Sequence, residues 1–183
     1  MSTLTGRDAT ALVVIDVQNG VVEGAYKRDE VIANIEQAVA KARTASVPVI
    51  WVQHSDEELE IDSDAWQIVS ELIPLEGEAM IRKTFRSSFE GTNLGEVLAS
   101  LNASHLVICG AQSNNCVRHT GQDALAKGYD VTLVADAHTT TGFEWGGYVV
   151  DAARVIDEQN INFLHKDLPG RTARGVSSAE LTF

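Results

Sequence analysis

The 183-residue chain has few of the features that mark disulfide-stabilised or membrane-embedded proteins. It contains two cysteines and three prolines, and two thiols are too few for the disulfide framework of a small secreted domain. Its longest apolar run, at residues 11–15, is far shorter than the ~20 residues of a transmembrane helix. The first residues show no basic stretch leading into an apolar one, so they predict no secretory signal. We expect a cytoplasmic protein.

Positive charge is also scarce in this sequence. Lysine and arginine number 14 against 26 aspartates and glutamates, which gives a net charge of −12. Phosphate backbones and anionic membranes repel such a protein, so we expect no nucleic-acid or membrane partner. The share of hydrophobic residues, 44%, and the length both suit one globular domain. We expect a single domain over residues 1–183, with tails at 1–9 and 172–183.

Apolar runs alternate with helical spacing along the chain. The runs predict strands at residues 11–15, 47–52, 78–82, 105–109, 130–135 and 161–164. Apolar spacing predicts helices near residues 29–45, 115–127 and 147–158. This alternation predicts a doubly wound, mostly parallel six-stranded α/β sheet with helices on both faces.

Reactive side chains follow several of the predicted strands. Asp16 follows the first strand, His54 the second and Lys83 the short third one, while Cys116 lies in the loop after the fourth. Ligands bind outside the carboxyl ends of the strands in such sheets, so these residues are candidates for one cleft. As alternatives, Asp16 suits a turn and Lys83 a solvated surface.

The segment around Cys116 combines a strand, a tight polar loop and the start of a helix. A thiolate at a helix N-terminus is favoured by the helix dipole and by free N–H groups. Asp16 is suited to take the thiol proton, and the charge of Lys83 favours the thiolate. Two alternatives remain: Cys116 packs as a small apolar residue, as we expect for Cys109, or the two cysteines form a redox pair.

A metal site has little support in the sequence. His54 and His138 are separated from other histidines and cysteines by spacings that do not suit metal ligands. We therefore expect no metal and no cofactor.

Four segments, taken in order, make the sequence similar to a known superfamily. They are residues 14–18 (VIDVQ), 83–89 (KTFRSSF), 110–117 (GAQSNNCV) and 128–137 (GYDVTLVADA). With them the chain resembles the isochorismatase-like cysteine hydrolases, which include nicotinamidases, N-carbamoylsarcosine amidohydrolases and streptothricin hydrolases. The resemblance covers residues 11 to about 163, and the third segment is most like that of the streptothricin hydrolase-like members.

The resemblance implies a catalytic triad of Asp16, Lys83 and Cys116, with the cysteine as nucleophile. It also implies a cis peptide at Ala111–Gln112 that turns the N–H groups of Gln112 and Cys116 toward an oxyanion. The implied activity is hydrolysis of a C–N bond in a small amide, lactam or ureido compound through a thioester. True isochorismatases act on a vinyl ether and lack this cysteine. Isochorismatase-type or other non-amide hydrolysis, or a non-catalytic binding role, is the alternative.

Several finer expectations concern the cleft. Nicotinamidases carry an Asp-x-His…His metal site after the second strand, whereas this chain offers only His54 and Asp56 there, so we expect none. The residues proposed to contact substrate are Gln18, Tyr26, His54, Phe89 and Trp145. Residues 56–64 hold six carboxylates, which either keep a loop solvated or attract a cationic substrate. The apolar residues 145–150 and the resemblance predict a homo-oligomer.

Overall fold

Six parallel strands form the centre of the protein, seen in a computed structural model that describes residues 2–164 and 166–183. The described residues form the strands β1 (Ala9–Ile15), β2 (Val49–His54), β3 (Ala79–Lys83), β4 (Ala103–Ala111), β5 (Asp130–Thr139), β6 (Phe143–Trp145), β7 (Tyr148–Val150), β8 (Asp167–Leu168) and β9 (Arg171–Val176). The main sheet has the order β3-β2-β1-β4-β5-β9-β8, and only β8, a two-residue strand, is antiparallel to its neighbour. The predicted six-stranded parallel sheet is thus confirmed.

Helices cover both faces of this sheet. They are α1 (Asn19–Val22), α2 (Arg28–Thr44), α3 (Leu94–Ser100), α4 (Arg118–Ala126) and α5 (Ala152–Leu164). Successive side chains of a strand point to opposite faces. In β1, Leu12 and Val14 pack with the residues of α2, whereas Val13 and Ile15 pack with those of α3 and α4. No helix in the described part of the chain is long and apolar enough to span a membrane.

The C-terminal residues do not form the expected tail. Strand β9 pairs in parallel with β5 and supplies the sixth parallel strand, in place of the one predicted at residues 161–164. Lys41 then donates hydrogen bonds to the carbonyl oxygens of Ser178, Ala179 and Leu181, at 2.7 to 3.0 Å. Residues 171–183 have a short, mixed pattern of apolar and polar residues that predicts no strand. Contacts with distant residues hold this segment in place instead.

Residues 143–164 also differ from the prediction. The helix predicted at residues 147–158 starts later than expected. Its first residues belong to a hairpin, in which β6 and β7 join through Gly146 and Gly147. Both glycines have positive φ, at 58° and 81°, which suits a two-residue hairpin turn. Helix α5 begins only at Ala152, where Asp151 accepts the N–H of Ala153, and it includes residues 161–164.

Candidate active site

Asp16, Lys83 and Cys116 meet at the carboxyl edge of the sheet. The Nζ atom of Lys83 lies 2.6 Å from Oδ2 of Asp16 and 3.1 Å from Sγ of Cys116. The side chains of Lys83 and Asp16 are almost fully buried, with 0% and 1% exposed, whereas Cys116 is half-buried. The three residues that the sequence singled out therefore form one cluster, with the thiol as its most accessible member.

The topology explains how Asp16 and Lys83 reach each other. Strand β2 lies between β1 and β3, and both side chains extend from the ends of the outer strands across the end of β2. The N–H of Asp16 donates to the carbonyl of Val52 at 2.9 Å. The backbone of Asp16 is in the left-handed region, with φ at 49°, a conformation that aspartate tolerates better than most residues.

The loop that carries Cys116 follows β4 without a gap. A Cβ atom at Gly110 would overlap the carbonyl oxygen of Ile15, so only glycine lets β4 pass this close to the end of β1. The Ala111–Gln112 peptide bond is cis, as the resemblance implies. A π-helical turn, Ser113–Val117, holds Cys116 and leads into α4. The N–H groups of Asn115 and Val117 both donate to the carbonyl of Gln112, at 3.0 and 3.2 Å.

Burial controls the ionisation of this cluster. Burial raises the pKa of the Asp16 carboxyl, and the charge of Lys83 opposes that effect only in part. Burial, together with the charge of Asp16, raises the pKa of the Cys116 thiol to about 12, again against the effect of Lys83. Desolvation and the charge of Asp16 together outweigh the charge of Lys83, so the thiolate that the sequence favours is not the resting form. Cys116 is thus a neutral thiol at rest, beside the carboxyl of Asp16.

His54 also contacts this cluster, and Gln18 holds the backbone of His54 in place. Nδ1 of His54 lies 3.3 Å from Nζ of Lys83, and its Nε2 lies 3.1 Å from Oδ2 of Asp56. Gln18 is fully buried, and its amide bonds the N–H and the carbonyl of His54 at 2.7 and 2.9 Å, with a further bond to Trp66. The Gln18 side chain is thus occupied by the backbone and has no free group for a substrate.

The three aromatic residues proposed for the pocket lie in different places. Phe89 packs on Tyr129, with ring centroids 5.8 Å apart, and Tyr129 precedes β5 at the opposite, amino edge of the sheet. Phe89 is therefore not placed to line a cleft at the carboxyl edge. Tyr26 and Trp145 are on the carboxyl side, where 41% and 79% of their surfaces are exposed.

A second buried network supports the loop that carries Cys116, and the sequence reasoning missed it. Nδ1 of His138 lies 2.8 Å from Oγ of Ser113, and its Nε2 lies 2.9 Å from Oδ1 of Asn160. Asn160 in turn donates to the carbonyl of Ala135, which orients its oxygen toward the histidine. Burial lowers the pKa of His138. The position of His138 just after an apolar strand was a signal, but only as a possible metal ligand.

The residues around the cluster also bear on metals and charge. Across residues 2–164 and 166–183, no three His, Cys, Asp or Glu side chains gather closely enough to hold a metal ion. The six carboxylates of residues 56–64 are exposed in the loop after β2. Because Asp56 contacts His54, this acidic loop begins beside the cluster.

Comparison with known proteins gives the family. Residues 10–154 match the isochorismatase domain, so the chain belongs to the isochorismatase family. A streptothricin hydrolase from Streptomyces noursei is 32% identical over 140 residues, which are 73% of this chain and 56% of that protein. The chain thus spans about half the length of the streptothricin hydrolases it matches.

Solved structures agree with this assignment. The crystal structure of an isochorismatase from Pseudomonas putida KT2440 is 30% identical, with a TM-score of 0.86, and the match covers 94% of this chain and 89% of that one. N-carbamoylsarcosine amidase from Thermoplasma acidophilum is 26% identical, with a TM-score of 0.76, over 95% and 99% of the two chains. The fold is therefore that of the isochorismatase family.

Proposed function

We propose that this protein hydrolyses a C–N bond of a small molecule, an amide, lactam or ureido compound, with Cys116 as nucleophile. The observation that carries the proposal is the buried contact of Lys83 with both Asp16 and Cys116. It joins a base, a cation and a thiol in one cluster, the set needed for nucleophilic catalysis. The similarity to a streptothricin hydrolase and to N-carbamoylsarcosine amidase supports a C–N bond as the target.

The first half of the reaction forms a thioester. Asp16 takes the thiol proton as Sγ of Cys116 attacks the carbonyl carbon, so a neutral thiol with a raised pKa suffices at rest. The backbone N–H groups of Gln112 and Cys116 are the proposed donors to the oxyanion. Protonated Asp16 then gives its proton to the leaving nitrogen, the C–N bond breaks, and an acyl-Cys116 remains.

The second half of the reaction releases the acid. Asp16, ionised again, takes a proton from a water molecule whose oxygen attacks the thioester carbonyl. The C–S bond breaks, and the thiolate recovers its proton from Asp16. Lys83 stays charged throughout, and its position between Asp16 and Cys116 stabilises whichever of them is negative.

The acidic loop suggests the charge of the substrate. Six exposed carboxylates, in residues 56–64, begin at the residue that contacts His54. A negative rim raises the local concentration and encounter rate of a cationic compound. We therefore propose an amine-bearing substrate, with a solvated loop of no role in binding as the alternative.

Cleavage of a vinyl ether, a non-amide reaction, is the second candidate function. It is favoured by the structural similarity to an isochorismatase from Pseudomonas putida. The two candidates differ in the enzyme intermediate: amide hydrolysis through Cys116 passes through an acylated protein, which a vinyl ether does not form. Intact-mass measurement after rapid acid quench distinguishes them, since only the first adds the acyl mass to Cys116.

Further properties belong to the same proposal. We propose a cytoplasmic, metal-free enzyme that forms a symmetric homo-oligomer and binds neither nucleic acid nor membranes. The hairpin of β6 and β7 exposes Trp145, Tyr148 and Val149 by 79%, 76% and 82%, and such apolar surface suits contact with a second copy. A sedimentation mass near the 19.8 kDa of one chain would contradict the oligomer, and loss of activity on chelation would contradict the metal-free reaction.

A substrate screen tests the main proposal. Purified protein is incubated with a panel of neutral, anionic and cationic amides, lactams and ureido compounds, including streptothricin and N-carbamoylsarcosine, and released ammonia or amine is measured. We expect turnover of at least one compound class and none by the Cys116→Ala variant. Turnover that survives in Cys116→Ala would refute the nucleophile.

A further inference from the structure

The ammonium group of Lys83 has a third neighbour besides the two catalytic groups. An ammonium has three N–H donors and no acceptor. Nζ lies 2.6 Å from Asp16, 3.1 Å from Cys116 and 3.3 Å from Nδ1 of His54. Nζ thus has three neighbouring groups that can accept, as many as it has N–H donors, and His54 is the one that takes no part in the proposed reaction. Its contact fixes how the ammonium is turned toward the other two.

This contact determines which nitrogen of His54 carries the proton. A charged lysine can only donate, so Nδ1 must be an unprotonated acceptor. Nε2 then carries the hydrogen and donates to Oδ2 of Asp56 at 3.1 Å. The other oxygen of Asp56 accepts the N–H groups of Glu58 and Leu59, both at 2.9 Å. Asp56 is therefore held by its own loop in the position that selects this tautomer.

The main chain of His54 is fixed as well. The buried amide of Gln18 bonds the N–H and the carbonyl of His54 at 2.7 and 2.9 Å. His54 also pairs with Lys83 in the register of β2 and β3. Since backbone and ring are both held, the imidazole has little freedom to turn away from the lysine.

We infer that His54 is a positioning residue for Lys83, and that Asp56 acts on the site by setting the tautomer of His54. The contacts of Asp56 with His54 and of His54 with Lys83 hold the ammonium in the orientation that faces Cys116 and Asp16. The inference deepens the proposed function, because it acts through Lys83 on the proposed nucleophile. Its effect is measurable on the thiol alone, without any substrate.

Two substitutions at His54 distinguish the role of Nδ1 from that of Nε2. In His54→Asn the amide oxygen takes the place of Nδ1 and still accepts from Lys83, whereas His54→Gln reaches the place of Nε2 and leaves Lys83 without this acceptor. The readout is the rate of Cys116 alkylation by iodoacetamide at pH 8, with Cys116→Ala as the background for Cys109. We expect His54→Asn to stay near the wild-type rate and His54→Gln to react about tenfold more slowly, because a displaced cation stabilises the thiolate less.

Asp56→Asn tests the tautomer at a side chain that is 48% exposed, where the fold tolerates an isosteric change. Its oxygen can still accept from the loop N–H groups, so its NH₂ group faces Nε2 and drives the proton to Nδ1, against the Lys83 ammonium. We expect alkylation to slow about tenfold here too, while Glu57→Asn, its neighbour in the loop, keeps the wild-type rate. Circular dichroism and Tm establish that each variant is folded.

Equal rates for His54→Asn and His54→Gln would overturn the inference, and so would a wild-type rate for Asp56→Asn. The proposed function fails separately: a protein with the expected alkylation rates that cleaves no C–N bond would keep the inference and refute the amidase.

Discussion

Polar side chains lie at both edges of the sheet, but among the described residues a fully buried ion pair is found at the carboxyl edge alone. At the amino edge, His105 joins Thr10 and Thr132 through hydrogen bonds of 3.2 and 2.8 Å. At the carboxyl edge, Asp16 and Lys83 form an ion pair with almost no exposure. Arg174 adds a third hydrogen bond, from its Nε to Thr132 at 2.8 Å, and a network of this kind can stabilise the fold. A buried ion pair is weak evidence for stability, because desolvation offsets its attraction. We therefore assign the proposed reaction to the carboxyl edge.

The two cysteines give the largest expected contrast between the scaffold and the reactive edge. Cys109 is buried in β4, where burial raises the pKa of its thiol, while Cys116 lies in the turn beyond. We expect Cys116→Ala to lower kcat by about 10⁴-fold or more, as for other removed nucleophiles. Cys109→Ala should keep most activity per folded molecule and lower the unfolding free energy by about 1 kcal/mol. Similar losses of activity in both variants would indicate a redox pair and refute the triad.

Lys83 tests whether the ion pair serves stability or reaction. Lys83→Met leaves the buried carboxylate of Asp16 without a partner, so we expect a loss of about 3 kcal/mol or more in urea unfolding. We also expect kcat to fall at least about a hundredfold.

The double variant Asp16→Asn/Lys83→Met separates the two effects. It contains no buried charge at this site, so most of the lost stability should return while kcat stays at least as low as in Lys83→Met. A double variant as unstable as the single one would show that the pair stabilises the fold in its own right.

The raised pKa of Asp16 makes activity and stability move in opposite directions with pH. Between its ordinary value of 3.8 and the raised folded value, the folded state binds more protons than the unfolded one, so the stability contributed by this group falls as pH rises. Activity rises over the same window, because the base must be ionised. We expect the acidic limb of kcat/KM above the usual aspartate range, and Asp16→Asn should remove this stability slope. A limb at ordinary carboxyl values would contradict the assignment.

His105 gives the corresponding test at the amino edge. Burial, and then the charge of Arg174, lowers the pKa of His105 from its ordinary 6.5. The contribution of His105 to stability is therefore fully present above pH 6.5, its ordinary pKa, and is lost as pH falls through the lowered pKa. His105→Gln should reduce the unfolding free energy by about 1 kcal/mol at neutral pH and weaken this pH dependence. Activity per folded molecule should be unchanged; a drop in kcat would mean that this edge also affects the reaction.

The acidic loop is expected to give the smallest effect. If a cationic amide is the substrate, its kcat/KM should fall by about threefold as salt rises toward 0.15 M, where the Debye length is about 8 Å. Neutralising Glu57, Glu58 and Glu60 to glutamine should remove most of that salt dependence and leave kcat unchanged. A matched control neutralises Glu36, Glu90 and Glu96, three exposed glutamates outside this loop. If the loop variant and the control variant show the same salt dependence, the loop serves solubility and not substrate binding.

Local sequence patterns were sufficient for much of the scaffold. The run at residues 11–15 and the spacing in α2 carry their own signal, because burial on both faces demands apolar residues and a helix face repeats every three to four residues. The position of Asp16, Lys83 and Cys116 just beyond strands was readable for the same reason, since parallel strands end at one edge. The hairpin turn at Gly146 and Gly147 was missed because the following residues also suit a helix.

The sequence by itself determined the parallel sheet and the residue types that its reactive edge presents. Only the tertiary structure decided that residues 171–176 form the sixth parallel strand, because that strand depends on pairing with β5 rather than on its own pattern. It also decided the ionisation of Cys116, where burial outweighs the nearby lysine, and the role of Gln18, whose amide is used by the backbone. These properties depend on distances and solvent exclusion among residues far apart in the chain, which no local pattern contains.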